Sequence, residues 1–163
     1  MKNALKSRKI WWDLDGTLRD LALAVWGVEP EHWNKRDASG RNTIDIVNDN
    51  LFLLEKAPPT EYLRAVNGKR ITILSAQLPH WTPYTRNWLY RWIPNCTVIY
   101  TETGEEKLPI LEAHDALLVE DHPNLSDYSR ILLIDHPYNR HVINPLRRIC
   151  SVEELEECLS NLS

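Results

Sequence analysis

The sequence has few cysteines and lacks a long apolar run. Its three cysteines, Cys96, Cys150 and Cys158, are an odd number without the spacing of a metal site. This pattern predicts reduced thiols rather than a disulfide framework. The N-terminus has no apolar stretch of signal-peptide length, and no segment is long enough to span a bilayer. We therefore expect a cytoplasmic protein without a membrane partner.

An excess of positive charge is also absent. The 19 lysines and arginines are outnumbered by 23 acidic residues, which gives a net charge of -4. No global basic field therefore draws the chain to nucleic acid or to an anionic membrane. No internal repeat is visible, and 163 residues, 43% of them hydrophobic, suffice for one globular domain with a core. The quaternary state does not follow from these totals, and a homodimer stays open.

The most informative stretch, residues 9–18, combines a short apolar strand with two acids. Residues 10–12 are β-branched or aromatic, as strand interiors prefer. Asp13 and Asp15 follow, and alternate side chains of an extended segment share a face. Close carboxylates repel unless a cation lies between them, and Mg²⁺ suits such oxygen ligands. Gly16 permits a tight turn after the second acid. The alternative is an ordinary Asp-Gly turn.

Strands alternate with helices along the rest of the chain. Further strands are predicted at residues 70–74, 96–100, 116–119 and 130–134. Helices are predicted at 18–25, 43–54, 60–66 and 152–159, a loop followed by a helix at 79–92, and a short turn or helix at 106–112. This alternation predicts an α/β fold, a doubly wound, Rossmann-like parallel sheet. Residues 18–57 are predicted to form a small helical cap inserted after the first strand, which leaves 1–17 and 58–163 as the core.

Polar residues follow the predicted strands at the same end. Ser75 ends the second strand, Glu120 and Asp121 end the fourth, and Asp135 ends the fifth. Each alone is weak evidence, because turns favour serine and aspartate. Lys107, which precedes the fourth strand, would on its own be an ordinary surface lysine. Their order along the chain strengthens the prediction that they converge on one site.

In this order the segments resemble the four motifs of the haloacid dehalogenase superfamily of phosphotransferases. The string Asp-Leu-Asp-Gly-Thr-Leu matches the first motif, and the resemblance implies that Asp13 is a nucleophile that becomes an aspartyl phosphate. Asp15 would then act as general acid and base. Ser75 would bind the phosphate together with Gly16 and Thr17 of the first motif.

The resemblance assigns the remaining charged residues as well. Lys107 takes the place of the third motif's lysine and would stabilise charge on the nucleophile and the transferring phosphoryl group. The fourth motif's acid completes a Mg²⁺ site. The ligands implied are the Asp13 carboxylate, the Asp15 backbone carbonyl and Asp121, with Glu120 next to them but outside the direct ligands.

A narrower resemblance comes from the segment Ile131 to His141, which contains Asp-His-Pro-Tyr-Asn-Arg. With the segments before it, it is similar to the 5′(3′)-deoxyribonucleotidase family. The substrate implied is a small phosphomonoester, a nucleoside monophosphate. In the cap, Trp33 or Trp26 could stack on a base, and His32 or Arg41 could meet a phosphate or a base edge. Packing of the tryptophans onto the core is the alternative.

Three departures from the family pattern leave the substrate open. The cap is shorter, Ala76 stands where the family tends to have a second hydroxyl, and Glu105 and Glu106 replace an Arg-Asp pair before Lys107. An acid in place of a bidentate phosphate binder would weaken or redirect phosphate binding. The alternatives are a phosphatase for a sugar phosphate, a phosphorylated polynucleotide end or a phosphoprotein, and a module that binds without catalysis. Nucleic acid is therefore not excluded as a partner.

Overall fold

Six parallel strands form one sheet in the structure of the protein, a computed structural model that describes residues 8–162. The strands are β1 (Lys9–Trp12), β2 (Ile71–Ala76), β3 (Cys96–Thr101), β4 (Ala116–Glu120), β5 (Ile131–Ile134) and β6 (Arg147–Ile149). Their order is β3-β2-β1-β4-β5-β6, and each neighbouring pair is parallel. The predicted doubly wound α/β fold is confirmed. In this order the chain reverses direction across the sheet between β1 and β4, where such folds bind ligands.

Helices alternate with the strands much as the sequence predicts. They are α1 (Leu21–Trp26), α2 (Thr43–Asp49), α3 (Leu53–Lys56), α4 (Thr82–Trp92), α5 (Lys107–Ala113) and α6 (Val152–Leu162), with 3-10 turns at Glu61–Val66, Pro79–Trp81 and Pro137–Asn139. The predicted helix at 43–54 is two helices, because the chain leaves helical geometry at Asn50. The helix predicted from residue 18 begins at Leu21, where the Asp20 carboxylate accepts a hydrogen bond from the Leu23 amide.

Both faces of the sheet are buried, as expected for a parallel sheet covered by helices. Trp12 points to the face covered by α4 and α6, where it packs with residues such as Trp88 and Leu155. Trp11 points to the opposite face and packs with a cluster that includes Leu111 of α5. The alternation of side chains along β1 therefore divides the two tryptophans between two cores.

Residues 18–57 hold a third, smaller apolar cluster. Leu21, Val47 and Leu54 of α1 to α3 are buried against one another and against Trp81, which belongs to the chain after β2. No helix within residues 8–162 is long and apolar enough to cross a membrane.

The two ends of this segment meet. The Asp20 amide donates to the Pro58 carbonyl at 2.8 Å, and the Thr60 amide donates to the Leu18 carbonyl at 2.9 Å. The Thr60 hydroxyl also donates to the Thr17 carbonyl at 2.5 Å. The chain therefore leaves the sheet region and returns to it at one place, beside the carboxyl end of β1.

Candidate functional site

Three charged side chains meet where β1 and β4 end. Asp13 follows β1, Glu120 is the last residue of β4, and Lys107 begins α5. The Lys107 ammonium donates to Asp13 Oδ1 and to Glu120 Oε2, both at 2.6 Å. None of the three residues is more than 5% exposed. The reading of Lys107 as a surface lysine is therefore wrong, and the ammonium links both predicted acidic motifs.

The electrostatic balance of this trio is unequal, because one lysine faces two carboxylates. Burial raises the pKa of Asp13 to about 7, Glu120 adds to the shift, and Lys107 opposes it. The pKa of Glu120 is lowered, because the charge and hydrogen bond of Lys107 outweigh the effect of burial. Burial alone would lower the pKa of Lys107, but the charges of Asp13 and Glu120 raise it. The lysine therefore stays protonated at neutral pH.

Asp121 adds a third buried carboxylate beside the trio. Its Oδ2 accepts a hydrogen bond from the Tyr138 hydroxyl, and its backbone carbonyl accepts one from Asn139 Nδ2 at 3.0 Å. Burial, followed by the charges of Glu120 and Asp13, raises the pKa of Asp121 well above its ordinary range. A bound cation would relieve this repulsion.

The carboxylate oxygens are close enough to share such a cation. Asp13, Glu120 and Asp121 each offer one oxygen, and these oxygens all lie within 4.8 Å of one another. Glu120 is already engaged, because its Oε1 accepts from the Asp121 and His122 amides at 2.9 and 3.0 Å and its Oε2 binds Lys107. An all-oxygen donor set of this kind fits a hard cation such as Mg²⁺.

Gly16 leaves the space that Asp121 occupies. Its φ is +84°, and a Cβ placed on it would lie 2.0 Å from Asp121 Oδ2. The Gly16 carbonyl accepts a hydrogen bond from His136 Nε2 at 2.8 Å, and His136 Nδ1 contacts the Glu29 carboxylate. The first-motif loop is thus held by Asp121 on one side and by His136 on the other.

Asp15 lies at the same edge of the sheet, but its carboxylate faces Arg19. Arg19 Nε donates to Asp15 Oδ1 at 2.7 Å, and Arg19 Nη2 donates to Asp15 Oδ2 at 2.9 Å. Arg19 is fully buried, whereas the Asp15 side chain keeps 24% of its exposure. The Asp15 carboxylate is therefore not part of the cluster formed by the carboxylates of Asp13, Glu120 and Asp121. The sequence signal for Arg19 was its position four residues after Asp15, directly after the stretch 9–18.

The hydroxyls predicted to bind phosphate are both buried. Ser75 is 1% exposed near the end of β2, and the residues that follow it, Ala76 and Gln77, line the cavity described below. Thr17 Oγ1 has no hydrogen-bond partner among residues 8–162. A buried hydroxyl without a partner is uncommon in folded proteins, and a phosphate oxygen is one group that would satisfy it.

A cavity of about 360 Å³ opens from the acids towards residues 18–57. Its lining includes Asp15, Gly16, Gln77, Asp121 and Tyr138 on the side of the sheet, and Trp26, Trp33, Asn34, Arg36 and Thr43 on the other side. Its volume lies within the range of small-molecule sites. The segment 18–57 thus forms one wall of a pocket that reaches Asp15 and Asp121.

The aromatic and basic residues of this segment have different surroundings. Trp33 contacts the rings of His122 and Tyr138, with centroids 4.9 and 5.3 Å apart, and still keeps 41% exposure. It therefore both packs on the core and lines the cavity. Arg41 pairs instead with Asp37 and Asp49, each at 2.8 Å.

His32 is exposed, and Arg36 is the arginine that lines the cavity. Trp26 also lines it, and its Nε1 donates to the Thr43 hydroxyl.

The two glutamates before Lys107 support the loop between β3 and α5. Glu106 accepts a hydrogen bond from the Glu102 amide, and Glu105 accepts two from Ser126. Sequence reasoning assigned no role to Tyr138, His136 or Asn139, although they lie in the segment that carried the narrower resemblance. Their position directly after β5 was the available signal.

A known structure shares this fold. A haloacid dehalogenase-like family hydrolase from Xanthomonas campestris superposes with a TM-score of 0.52, at 12% sequence identity, over 95% of this chain and 95% of its own. No family model matches the sequence, and no curated protein matches it. The likeness supports a haloacid dehalogenase-like α/β fold for this chain.

Proposed function

We propose that this protein is a Mg²⁺-dependent phosphomonoester hydrolase of the haloacid dehalogenase superfamily that acts through an aspartyl phosphate. The observation that carries the proposal is the buried group of Asp13, Lys107, Glu120 and Asp121 at the reversal point of the sheet. Three buried carboxylates beside one lysine are unfavourable for folding alone. Such perturbed charges are concentrated at functional sites.

In the first step, Asp13 attacks phosphorus in line, and the bond from phosphorus to the leaving oxygen breaks. Lys107 binds Asp13 Oδ1 at 2.6 Å, which orients the carboxylate and leaves Oδ2 free of the lysine. Mg²⁺ bound by Asp13, Asp121 and the Asp15 carbonyl would neutralise charge on the phosphate oxygens. Asp15 gives a proton to the leaving oxygen.

In the second step, Asp15 takes a proton from a water molecule that attacks the aspartyl phosphate and releases Asp13. Ser75, Gly16 and Thr17 hold the phosphoryl group during both steps. The unpartnered Thr17 hydroxyl supports this placement, because a phosphate oxygen would accept its hydrogen bond. Glu120 acts through Lys107 and the backbone amides rather than on the substrate.

The finer proposal is a nucleoside monophosphate substrate, as in the 5′(3′)-deoxyribonucleotidases. It is supported by the cavity of about 360 Å³ next to Asp15 and by Trp33, which offers a partly exposed aromatic surface there. Arg36 and Asn34 add polar groups to the same wall. A stacking contact of a base with an aromatic ring contributes about 1–3 kcal/mol.

A turnover screen tests both levels of the proposal. Phosphate release is measured for nucleoside monophosphates, sugar phosphates and phosphorylated oligonucleotides, with Mg²⁺ and with EDTA. We expect turnover that requires Mg²⁺, is highest on a nucleoside monophosphate and is abolished in Asp13→Asn, since an amide cannot form the phosphoenzyme.

Two results would count against the proposal. Turnover confined to sugar phosphates or oligonucleotides would overturn the nucleotide assignment alone. Asp13→Asn activity within about tenfold of wild type, roughly 1.4 kcal/mol in the barrier, would overturn the nucleophile.

A further inference from the structure

Arg19 is a fully buried arginine whose hydrogen bonds converge on the site. Besides its two bonds to Asp15, its Nη1 donates to the Leu54 carbonyl at 3.1 Å and to the Thr85 hydroxyl at 3.2 Å. Four of its five N–H donors are therefore used. Its guanidinium carbon also lies 5.7 Å from the centre of the Trp88 ring. The guanidinium is fixed from several directions, and Asp15 is its more exposed partner.

The loop between Asp15 and Arg19 brings the two side chains together. The Arg19 amide donates to the Leu14 carbonyl at 2.8 Å, and the Gly16 amide donates to the Arg19 carbonyl at 2.9 Å. These bonds close a tight turn just after β1. The pair is consequently built by the same backbone that places Asp13, and it does not depend on a flexible side chain reaching across the surface.

We propose that Arg19 is a positioning residue that fixes the plane and direction of the Asp15 carboxylate at the edge of the cavity. This inference rests on the proposed function, in which Asp15 exchanges protons with the leaving oxygen and with water. A planar guanidinium that binds both carboxylate oxygens sets the orientation of the whole group. Each carboxylate oxygen keeps a second lone pair, which can carry the proton that Asp15 gives to the leaving oxygen in the first step and takes from water in the second.

The hydrogen bonds of Arg19 to Leu54 and Thr85 connect the orientation of the Asp15 carboxylate to the walls of the cavity. Leu54 belongs to α3 in the segment 18–57, and Thr85 belongs to α4, the helix that follows β2 along the chain. Thr85 in turn donates to Gln77, which lines the cavity. Arg19 therefore joins the position of Asp15 to both sides of the pocket.

The test uses leaving groups that differ in their need for a proton. A nucleoside monophosphate releases an alkoxide that must be protonated, whereas p-nitrophenyl phosphate releases a stable phenolate. General acid catalysis contributes about 10²–10⁴-fold where it is needed. We expect Arg19→Met to slow release of the nucleoside in a single turnover at least about tenfold more than release of p-nitrophenolate, with little change in KM.

The second step gives an independent readout. With p-nitrophenyl phosphate, Arg19→Met should accumulate phosphoenzyme, which acid quenching traps, because a misdirected Asp15 activates water poorly. Arg19→Lys keeps the buried charge but not the two-pronged contact, so we expect an intermediate effect on both readouts. Arg64→Met, which removes an exposed arginine paired with Glu153 and Glu156, is the matched control and should change neither.

The outcomes separate the two levels of inference. Equal slowing on both substrates in Arg19→Lys, or no slowing, would overturn the positioning role while the phosphatase proposal stands. Arg19→Lys decides the question if Arg19→Met does not fold. A wild-type protein that hydrolyses neither ester would overturn the proposed function itself, and the role of Arg19 with it.

Discussion

Replacing Asp121 by asparagine is expected to stabilise the metal-free protein and to remove its response to Mg²⁺. Asp121 is 2% exposed and shares its surroundings with Asp13 and Glu120. Burial and these neighbouring charges raise its pKa, so the ionised form is unfavourable in the folded state. An asparagine has nearly the same shape, its amide oxygen can still accept from Tyr138, and it carries no charge.

The expected gain follows from the spacing of the oxygens. Two unit charges 4.8 Å apart repel by about 3.5 kcal/mol at an effective dielectric constant of about 20. Partial protonation of Asp121 and the ammonium of Lys107 reduce this, so we expect a net gain of about 1–2 kcal/mol. For a chain of this length, 1 kcal/mol shifts Tm by about 2–4 °C, which gives a rise of about 2–8 °C without metal.

Mg²⁺ should stabilise the wild type much more than the Asp121→Asn variant. At 100 times its Kd, a ligand that binds only the folded state adds about 2.7 kcal/mol, or about 5–11 °C in Tm. The wild type should show this shift, and Asp121→Asn should lose most of it.

Thermal unfolding in EDTA and in a Mg²⁺ titration at pH 7.5 measures both effects. Asp49→Asn, at an exposed surface pair with Arg41, is the control and should stay near the wild type. An Asp121→Asn protein less stable than wild type in EDTA, or one with an intact Mg²⁺ shift, would refute the reasoning.

Three further predictions concern the same pocket. Because the pKa of Asp13 is raised to about 7 from an ordinary 3.8, its contribution to stability is fully present below 3.8 and is lost as pH rises through 7. The Tm of the metal-free wild type should therefore fall between pH 5 and 8, and the fall should be smaller in Asp13→Asn. An equal fall in both proteins would mean that a group other than Asp13 causes the pH dependence. Gly16→Ala should abolish turnover, since the added Cβ would collide with the Asp121 carboxylate. The control Gly68→Ala, at a similar positive φ but in open space, should cost only about 1–2 kcal/mol of stability. Full activity in Gly16→Ala would contradict the close packing of Gly16 on Asp121. Trp33→Ala should raise KM for a nucleoside monophosphate several-fold more than it lowers kcat and leave a small aryl phosphate largely unaffected; equal losses on both would mean that the ring only packs on the core.

The sheet was predictable because its signals are local and repeated. Apolar strands such as Ala116–Glu120 are short, bounded and followed by acids, and their alternation with helices sets the parallel order. β6 was missed because it is only three residues long and only its last residue, Ile149, is buried. Its other two residues, Arg147 and Arg148, look like surface charge in the sequence. Local patterns of hydrophobicity therefore located the strands β1 to β5, including the edge strand β3, but not the short edge strand β6.

The candidate site was predictable as a set of residues but not as a set of contacts. The carboxyl ends of parallel strands bring Asp13 and Asp121 to one edge of the sheet. Their proximity could therefore be predicted from the order of the motifs. The pairing of Asp15 with Arg19 did not, because Arg19 is fixed by Leu54 and Thr85, which lie far away in the sequence. Contacts of this kind depend on tertiary packing.

The meeting of the two ends of the segment 18–57 has a consequence for how such a protein can diversify. Because the Asp20 and Thr60 amides bond directly to the Pro58 and Leu18 carbonyls, the gap that the segment spans is closed by the backbone at its base. The number of residues between these two hydrogen-bonded ends can then change without moving β1 relative to β2. Evolution or protein engineering could therefore replace the outer wall of the pocket and change which substrates enter, while Asp13, Glu120 and Asp121 keep their places.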